Sequence, residues 1–207
     1  KTLELIKIAN KNKILLAEFI VFNHHRIFKK VLEIFNGVKN IEFIYSKFNA
    51  PFAESCKKLL KIKKGINQDM GPYAAAIDRI FFFKKKKKIL LNKSFKNKLV
   101  TNFNINILSN KLSYYGEFSI SKKYRSSIVF VSKNRTVEIP FQAFALSSLK
   151  QIKINVYKNN KFSQYSLKDD YILRSFLDII KKKKSNNYYS NLIRYDNLFR
   201  KKNNLIH

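Results

Sequence analysis

The sequence is short of the residues that build disulfide frameworks, metal centres and nucleotide-binding loops. Cys56 is the single cysteine, so the chain can form neither an internal disulfide nor a cysteine-based metal site. Only four glycines occur and they form no cluster, which argues against a glycine-rich phosphate loop. No run of eighteen uncharged apolar residues is present, so no transmembrane helix is predicted.

Acidic residues are scarce as well. The chain has 13 Asp plus Glu against 43 Lys plus Arg, a formal net charge of +30. A polyanion would relieve self-repulsion of this size, so nucleic acid is the first candidate partner and an anionic membrane surface is the second. Heavy use of Lys, Asn, Ile, Phe and Tyr is typical of an AT-rich coding sequence, as in some organellar genomes. Hydrophobic residues fill 45% of the 207 positions, which is enough for one domain with a sizeable core.

Apolar segments with strand-like and helix-like spacing alternate along the chain. Residues 126–132 form a short apolar run rich in β-branched side chains, and residues 152–157 alternate apolar with polar, so both are predicted strands. Helices are predicted where apolar residues recur at three- and four-residue steps. The predicted strands are 19–23, 41–45, 89–92, 126–132 and 152–157, and the predicted helices are 1–9, 24–35, 51–62, 73–83, 101–112, 141–149 and 171–180.

This alternation predicts an α/β fold. It would be a three-layer α/β/α sandwich around a mostly parallel, flavodoxin-like sheet of about five strands with right-handed crossovers. Residues 65–72 and the Tyr-rich segment 113–125 are interpreted as connections. We predict a single α/β domain at 1–181 and a basic C-terminal extension at 182–207, which forms either a short helix or an extended tail.

Three groups of motifs follow one another in an order that resembles a known family. In the first group, a strand ending in Asn leads into a helix and a second strand with a polar turn. In the second, a strand ending in Asn precedes an aromatic residue and a Leu-Val-Thr-Asn-Phe run. In the third, an apolar strand, a helix and a strand precede a Lys-Asp-Asp turn into the last helix. These groups occupy residues 20–47, 91–103 and 128–180. Together they resemble the ribosomal protein S-two family, the second protein of the small ribosomal subunit.

The resemblance implies a structural role in a ribosome. The chain would be a constituent of the small subunit of an organellar ribosome, mitochondrial or of another organelle, near the junction of head and body. Its partners would be rRNA and neighbouring ribosomal proteins. No catalysis, cofactor, metal, membrane or small-molecule substrate is expected. Compared with the family, Asn97 and Lys98 replace a glycine pair, residues 63–88 form an insertion, and residues 113–125 form a shortened link.

Basic residues are the candidate RNA contacts, because lysines and arginines neutralise phosphates without reading bases. A lysine run taken alone is as easily a solvated surface, but the net charge favours phosphate contact. The predicted RNA-binding residues are Lys84, Lys85, Lys86, Lys87, Lys88, Lys93, Lys96, Lys98, Lys181, Lys182, Lys183, Lys184, Arg194 and Arg200.

Several other residues allow two interpretations. Tyr188, Tyr189 and Tyr195 either stack on unpaired bases or pack the tail on the protein. The pair Thr101-Asn102 would cap a helix near RNA, or simply be an ordinary N-cap. The adjacent His24 and His25 point about 100° apart on a helix and do not share a metal easily. The Asp169-Asp170 pair is explained by a helix start.

Two rival functions remain open at the level of sequence. One is a nucleotide- or substrate-binding α/β enzyme, which a phosphate loop or a cluster of perturbed acids in the structure would favour. The other is a basic organellar nucleoid protein or membrane-surface protein, which binding to generic DNA or anionic lipid would favour.

Overall fold

A computed structural model describes residues 2–17, 26–51, 65–96, 98–121, 123–144, 151–168, 177, 179–180 and 186–205. Four helices within this part are α1 (Thr2–Lys11), α2 (Arg26–Phe35), α3 (Ile66–Phe81) and α4 (Asn186–Lys202), and a short 3₁₀ turn spans Val38–Asn40. The strands are β1 (Phe43–Ala50), β2 (Lys88–Lys96), β3 (Leu99–Leu108), β4 (Ser113–Ile120), β5 (Arg125–Ser132), β6 (Arg135–Ile139), β7 (Ile152–Lys158) and β8 (Lys161–Leu167).

All eight strands belong to one sheet, in the order β2-β3-β4-β1-β5-β6-β7-β8. The pairing of β1 with β4 is parallel, and every other neighbouring pair is antiparallel. The strands from β5 to β8 form a simple meander, whereas β1 lies in the middle of the sheet between β4 and β5. Most of the sheet can therefore be built from hairpins, which need only short connections.

The core lies on one face of this sheet, where α2 and α3 pack. Side chains on this face alternate with exposed ones, as in Ile44, Ser46 and Phe48 of β1, all of them buried. Helix α3 contributes a run of small buried residues, Ala74, Ala75 and Ala76, which lets its backbone approach the strands closely. The opposite face is polar and aromatic: Tyr45 stacks on Tyr115 with ring centroids 6.0 Å apart and donates to Glu117 at 3.0 Å.

Gly116 shows how tightly the buried face is packed. It pairs with Ser46 across the parallel strands, and the ring of Tyr114 lies over it so that the two hydroxyls of Tyr114 and Ser46 meet at 2.8 Å. A Cβ atom at position 116 would come within 2.7 Å of Cζ of Tyr114. Only glycine leaves room for a buried tyrosine to cross its own strand here.

The α/β class predicted from the sequence is confirmed, but the sheet is not the predicted one. It has eight strands rather than five, it is mostly antiparallel, and it lacks the flavodoxin-like parallel order. Residues 101–112 were assigned to a helix, yet they largely form β3, in which Phe103, Ile105 and Ile107 alternate as buried residues. The apolar side chains of this segment recur at every second residue, and this pattern indicates a strand more strongly than the looser helical spacing indicates a helix. The connection 113–125 likewise contains β4.

The region 126–168 corrects the predicted strand–helix–strand unit. The strands at 126–132 and 152–157 are confirmed as β5 and β7, but β6 lies between them in the sheet and β8 follows the Asn159-Asn160 turn. No crossover helix is found in residues 141–144, the described part of the predicted helix 141–149. Antiparallel neighbours thus replace the right-handed parallel crossover that the sequence suggested.

Helix α2 and its end agree with the sequence. Its buried residues Ile27, Phe28, Val31 and Phe35 have the predicted spacing. Asn36 and Gly37 follow with positive φ angles of 54° and 103°, and Gly37 N donates to Leu32 O at 2.8 Å, a helix-ending turn. The predicted helix 1–9 corresponds to α1. The predicted strand 19–23, the predicted helix 51–62 and most of the predicted helix 171–180 lie outside the described residues.

Segment 63–88 contains the most buried helix of the described chain. Residues 65–72 are not the predicted loop, since α3 begins at Ile66 and passes through Pro72. Ten residues of α3 are buried, among them Ile66, Met70, Ala74, Ile77 and Phe81 at three- and four-residue steps. In the C-terminal segment, α4 packs along α3, and Asn67 Nδ2 donates to Leu205 O at 2.9 Å. The chain after 186 is therefore folded onto the core and is not an extended tail.

Candidate active site

Helix α3 carries an acid and a phenol, Asp69 and Tyr73, near its N-terminus. The helix can begin here because Gly65 lies directly against β3: a Cβ atom at that position would be 2.9 Å from Val100 Cβ. Asp69 and Tyr73 are four residues apart, so they lie on the same face of the helix. Because β1 and β4 run in the same direction, both end beside this part of α3. We call this the Asp69 end of the sheet.

Aromatic rings surround Tyr73 at this end. Its ring meets Phe48 of β1 edge to face at a centroid distance of 5.1 Å and Phe144 at 5.8 Å. Phe48 in turn contacts Tyr124, the residue before β5, at 6.3 Å. The phenol of Tyr73 is therefore held in an orientation fixed by packing, half-buried rather than free in solvent.

The environment of both side chains changes their pKa values. Partial burial raises the pKa of the Asp69 carboxyl above its ordinary value, even though the residue reaches solvent. Burial raises the pKa of Tyr73 as well, and the negative charge of Asp69 and then Tyr124 raise it further. Burial also raises the pKa of Tyr124, while a hydrogen bond with Ser126 lowers it. The site thus pairs a phenol that keeps its proton with a carboxyl that accepts one more readily than usual, an arrangement suited to proton transfer.

Sequence reasoning missed this pair for a physical reason. Pro72 and Gly71 lie between Asp69 and Tyr73, and both residues disfavour a helix interior. Pro72 lies in the second turn of α3, where it removes one backbone hydrogen bond, and the burial of this helix against the sheet compensates for that loss. The signal that was available is the apolar series Ile66, Met70, Ala74 and Ile77, which continues through the proline without a shift of register.

A buried ionic cluster occupies the other half of α3. Asp78 has an exposed fraction of 0%, and its carboxylate accepts from Lys87 Nζ at 2.5 Å and from Tyr195 Oη at 2.6 Å. The next residue, Arg79, forms a bidentate salt bridge with Asp196. Its Nε donates to Oδ1 at 3.0 Å and its Nη2 donates to Oδ2 at 3.3 Å. Burial, followed by the hydrogen bond and charge of Asp78, raises the pKa of Tyr195. These contacts join α3 to α4 and to the start of β2.

The predicted RNA-binding residues belong to several elements, and some of them contact other parts of the protein. Lys87 is engaged with Asp78, and Lys93 Nζ donates to Asn204 O. Lys84 and Lys85 lie over the rings of Phe83 and Phe82, with Nζ-to-centroid distances of 5.6 Å and 5.7 Å. The remaining described members are dispersed over the segment after α3, β2, the β2–β3 turn and α4, namely Lys86, Lys88, Lys96, Lys98, Arg194 and Arg200. Lys181, Lys182, Lys183 and Lys184 lie outside the described residues.

The other residues with two interpretations are settled in part. Tyr189 is buried, and Tyr195 is bonded within the ionic cluster, so both pack the C-terminal segment on the protein. Thr101 and Asn102 lie within β3, so the prediction that they cap a helix is wrong. His24, His25, Asp169 and Asp170 lie outside the described residues. No helix in the described part of the chain is long and apolar enough to cross a membrane.

Comparison with known proteins identifies the fold. No protein-family model and no curated protein sequence matches the chain. Solved structures do match: a mutant 3-ketoreductase from Actinomadura kijaniata, in complex with TDP-benzene and NADP, gives a TM-score of 0.75 at 15% identity over 95% of this chain and 63% of that one. The same enzyme with NADP gives 0.74 at 16% identity, over 94% and 62%. UDP-N-acetylglucosamine 3-dehydrogenase from Acidithiobacillus ferrooxidans gives 0.68 at 11% identity, over 96% and 65%.

These matches overturn the ribosomal interpretation. The chain shares its fold with the 3-ketoreductase and the UDP-N-acetylglucosamine 3-dehydrogenase and not with ribosomal protein S-two, whose parallel strand–helix–strand units are not found in the described residues. The predictions of a structural role in the ribosome, of rRNA and ribosomal proteins as partners, and of a chain without catalysis or small-molecule substrate are therefore wrong. The alternative of a nucleoid or membrane-surface protein falls with them. The chain spans less than two thirds of the length of each of these enzymes.

Proposed function

We propose that this chain forms the substrate-binding and proton-transferring part of an oxidoreductase that interconverts a hydroxyl and a keto group on a sugar nucleotide. The observation that carries the proposal is the Asp69–Tyr73 pair, held among aromatic rings at one end of a sheet whose fold matches such enzymes over 95% of this chain. Interconversion of an alcohol and a ketone requires that a proton leave or reach the substrate oxygen.

Tyr73 is the group suited to exchange that proton. Its raised pKa keeps the phenol protonated at neutral pH, so it can donate to the oxygen of a ketone during reduction. Asp69 stabilises this protonated state through its negative charge, and Tyr124 adds a second phenol close to the first. The rings of Phe48 and Phe144 provide an apolar surface beside these polar groups, on which the carbon face of a sugar ring can rest.

The chain itself does not fit a nicotinamide dinucleotide, although the A. kijaniata structures contain NADP. Its glycines are dispersed: Gly37 follows α2, Gly65 precedes α3, Gly71 lies within α3 and Gly116 lies within β4. No described loop therefore offers the clustered backbone N–H groups that cradle a pyrophosphate. The residues of this chain account for the transfer of a proton to or from the substrate oxygen. The dinucleotide would be bound by polypeptide outside this sequence, in the same protein or in a separate subunit.

An activity assay with two variants tests the proposal. The protein containing this chain is supplied with NADP or NADPH and a panel of UDP- and TDP-sugars, and the nicotinamide absorbance is followed. Tyr73→Phe is expected to lower kcat by about 10²- to 10⁴-fold with little change in KM, because it removes the exchangeable proton and leaves the ring. Tyr157→Phe, on the opposite face of the sheet, serves as the matched control and should leave kcat unchanged.

A pH profile separates catalysis from folding. In the direction of ketone reduction, Asp69→Asn should move the alkaline limb of kcat to lower pH, since the lost negative charge no longer raises the pKa of Tyr73. Undiminished kcat in Tyr73→Phe would refute the role of that residue. A parent protein that is inactive towards every sugar nucleotide in the panel would refute the function itself.

A further inference from the structure

The end of the sheet opposite Asp69 carries a basic cleft. Helix α3 has 16 residues, so its two ends are about 24 Å apart at 1.5 Å per residue. Beyond its C-terminal end a cavity of about 640 Å³ is lined by Lys39, Lys85, Lys86 and Lys111, over a floor that includes the buried Ile41 and Leu112. None of the described residues lining this cavity is acidic. The four lysines and this floor are the basic cleft.

Three separate segments bring these four lysines together. Lys39 belongs to the 3₁₀ turn after α2, Lys85 and Lys86 follow α3, and Lys111 lies in the β3–β4 turn. That turn is closed by Ser109, whose N and Oγ both donate to Leu112 O, at 3.0 Å and 2.8 Å. The turn after α3 is held by Lys85 N donating to Phe82 O at 3.0 Å. The cations therefore converge on secondary structure that is fixed by backbone hydrogen bonds and are not scattered on one flexible loop.

Two smaller depressions extend the positive charge around Lys39. One, of about 350 Å³, is lined by Lys39, Lys133 and Arg135, and a second of about 480 Å³ again includes Lys39 and Lys111. Arg135 Nε is buried and has no hydrogen-bond partner among the described residues. Glu42 lies at the border of both smaller depressions and is the acidic group of this region. Six cations thus face one carboxylate, which leaves a large surplus of positive charge.

We propose that the basic cleft binds a nucleoside triphosphate as a second ligand, distinct from the substrate at the Asp69 end. Four convergent lysines match a phosphate chain carrying three to four negative charges, which they bind as point charges. The apolar floor at Ile41 and Leu112 suits a nucleobase, and the cavity volume lies in the usual range of about 300–1,000 Å³ for small-molecule sites. Burial lowers the pKa of Lys85, and a bound phosphate would oppose this effect.

Calorimetric titration of the full chain tests this assignment at about 0.15 M salt, where the Debye length is about 8 Å. ATP, tripolyphosphate and adenosine are the three probes. We expect ATP to bind at least tenfold more tightly than adenosine, because the lysines need the phosphates, and at least threefold more tightly than tripolyphosphate, because the floor contacts the base. Equal binding of ATP and adenosine, or of ATP and tripolyphosphate, would overturn the assignment, as would the absence of ATP binding.

A charge-matched pair of variants excludes diffuse attraction to a chain of net charge +30. Lys39→Gln with Lys111→Gln removes two exposed cations from the cleft. Lys7→Gln with Lys11→Gln removes two exposed cations from α1, which contacts α4 and does not line the cleft. The first double variant should weaken ATP binding at least tenfold and the second less than twofold, with unchanged melting temperatures. An equal loss in both would show non-specific attraction and sink the proposal.

Discussion

At the scale of single residues, the features that matter most are side chains whose ionisation is set by their neighbours. Tyr73 is enclosed by Phe48 and Phe144, and Asp69 lies one helical turn away. Burial raises the pKa of both side chains, and the charge of Asp69 raises that of Tyr73 further, so neither residue is distinctive by itself in the sequence. A pair of this kind is costly for the folded state, because partial burial disfavours the charged carboxylate.

Replacing Asp69 by Asn should change the pH dependence of stability. The folded-state pKa of Asp69 lies above the ordinary value of 3.8, so the folded protein holds this proton more tightly than the unfolded chain. The contribution of this tighter proton binding to the free energy of unfolding is fully present below pH 3.8 and is lost as the pH rises through the folded-state pKa. The free energy of unfolding of Asp69→Asn, relative to the parent, should therefore increase with pH across this window and then level off.

Urea unfolding at a series of pH values measures this difference. If the difference between Asp69→Asn and the parent is constant with pH, or decreases as pH rises, then the folded protein does not raise the pKa of this carboxyl. In the direction of ketone reduction the same variant would lose activity on the alkaline side of the pH profile, so stability and function would move in opposite directions there. That pattern is typical of groups kept for chemistry at the expense of stability.

At the scale of elements, α3 is the part on which the rest of the described chain depends. Its N-terminal half carries the candidate catalytic pair, its middle packs small residues on the sheet, and its C-terminal half holds Asp78 and Arg79. Through these two residues it fixes α4 and the start of β2. The candidate active site and the C-terminal segment are thus connected by one rigid helix.

Breaking the Asp78–Lys87 pair should be strongly destabilising. Asp78 is fully buried and the side chain of Lys87 is only 17% exposed, so Asp78→Asn leaves a cation with no counter-charge in a poorly hydrated position. We expect a loss of about 3 kcal/mol in the free energy of unfolding. The double variant Asp78→Asn with Lys87→Met should recover a large part of that loss, because it removes the unpaired charge as well.

An exposed ion pair supplies the control for this experiment. Lys30 and Glu33 are 3.7 Å apart on α2, and their side chains are 33% and 52% exposed. Glu33→Gln should cost less than about 0.5 kcal/mol because water screens this pair. Chemical denaturation of the three variants and the parent decides the matter: a cost for Asp78→Asn no larger than that for Glu33→Gln would mean that the cluster does not hold α3 in place.

At the scale of the whole molecule, the surplus of cations is the dominant property. The net charge of +30 arises from 43 lysines and arginines against 13 acidic residues, so most of the cations have no carboxylate with which to pair. Mutual repulsion of this size weakens the compact state, and dissolved ions relieve it. The mitochondrial location inferred from the composition stays a prediction.

Added sodium chloride should therefore stabilise the protein. Raising its concentration from about 0.01 M to about 1 M shortens the Debye length from about 30 Å to about 3 Å, which screens repulsion between distant lysines. We expect the melting temperature to rise by about 4 °C, corresponding to about 1 kcal/mol for a chain of this size. Thermal melts followed by circular dichroism measure the effect. A melting temperature that falls with salt would indicate that attractive pairs such as Lys47–Glu117, and not repulsion, dominate the surface.

Short-range patterns were sufficient for some elements and insufficient for others. The spacing of apolar residues in α2 and the Asn36-Gly37 turn predicted both the helix and its end, because these are local features of the backbone. The strict alternation of Phe103, Ile105 and Ile107 also indicates a strand, although the looser spacing of Phe103, Ile107, Leu108 and Leu112 predicts a helix. The N-terminal part of α3 was not predicted because it contains Pro72. A proline inside a helix is tolerated only when packing compensates for the lost hydrogen bond.

The sequence by itself determined the α/β class, the charge and the positions of helix α2 and of strands β1, β2, β5 and β7, because these follow from composition and from spacing along the chain. Only the tertiary structure decided that β1 pairs in parallel with β4 and antiparallel with β5, an arrangement between segments far apart in sequence. It also decided which charged groups meet. Asp78 and Lys87 became an internal pair, while Lys39, Lys85 and Lys111 were left to face one cavity. Strand order and charge pairing depend on long-range packing, and local sequence does not encode it.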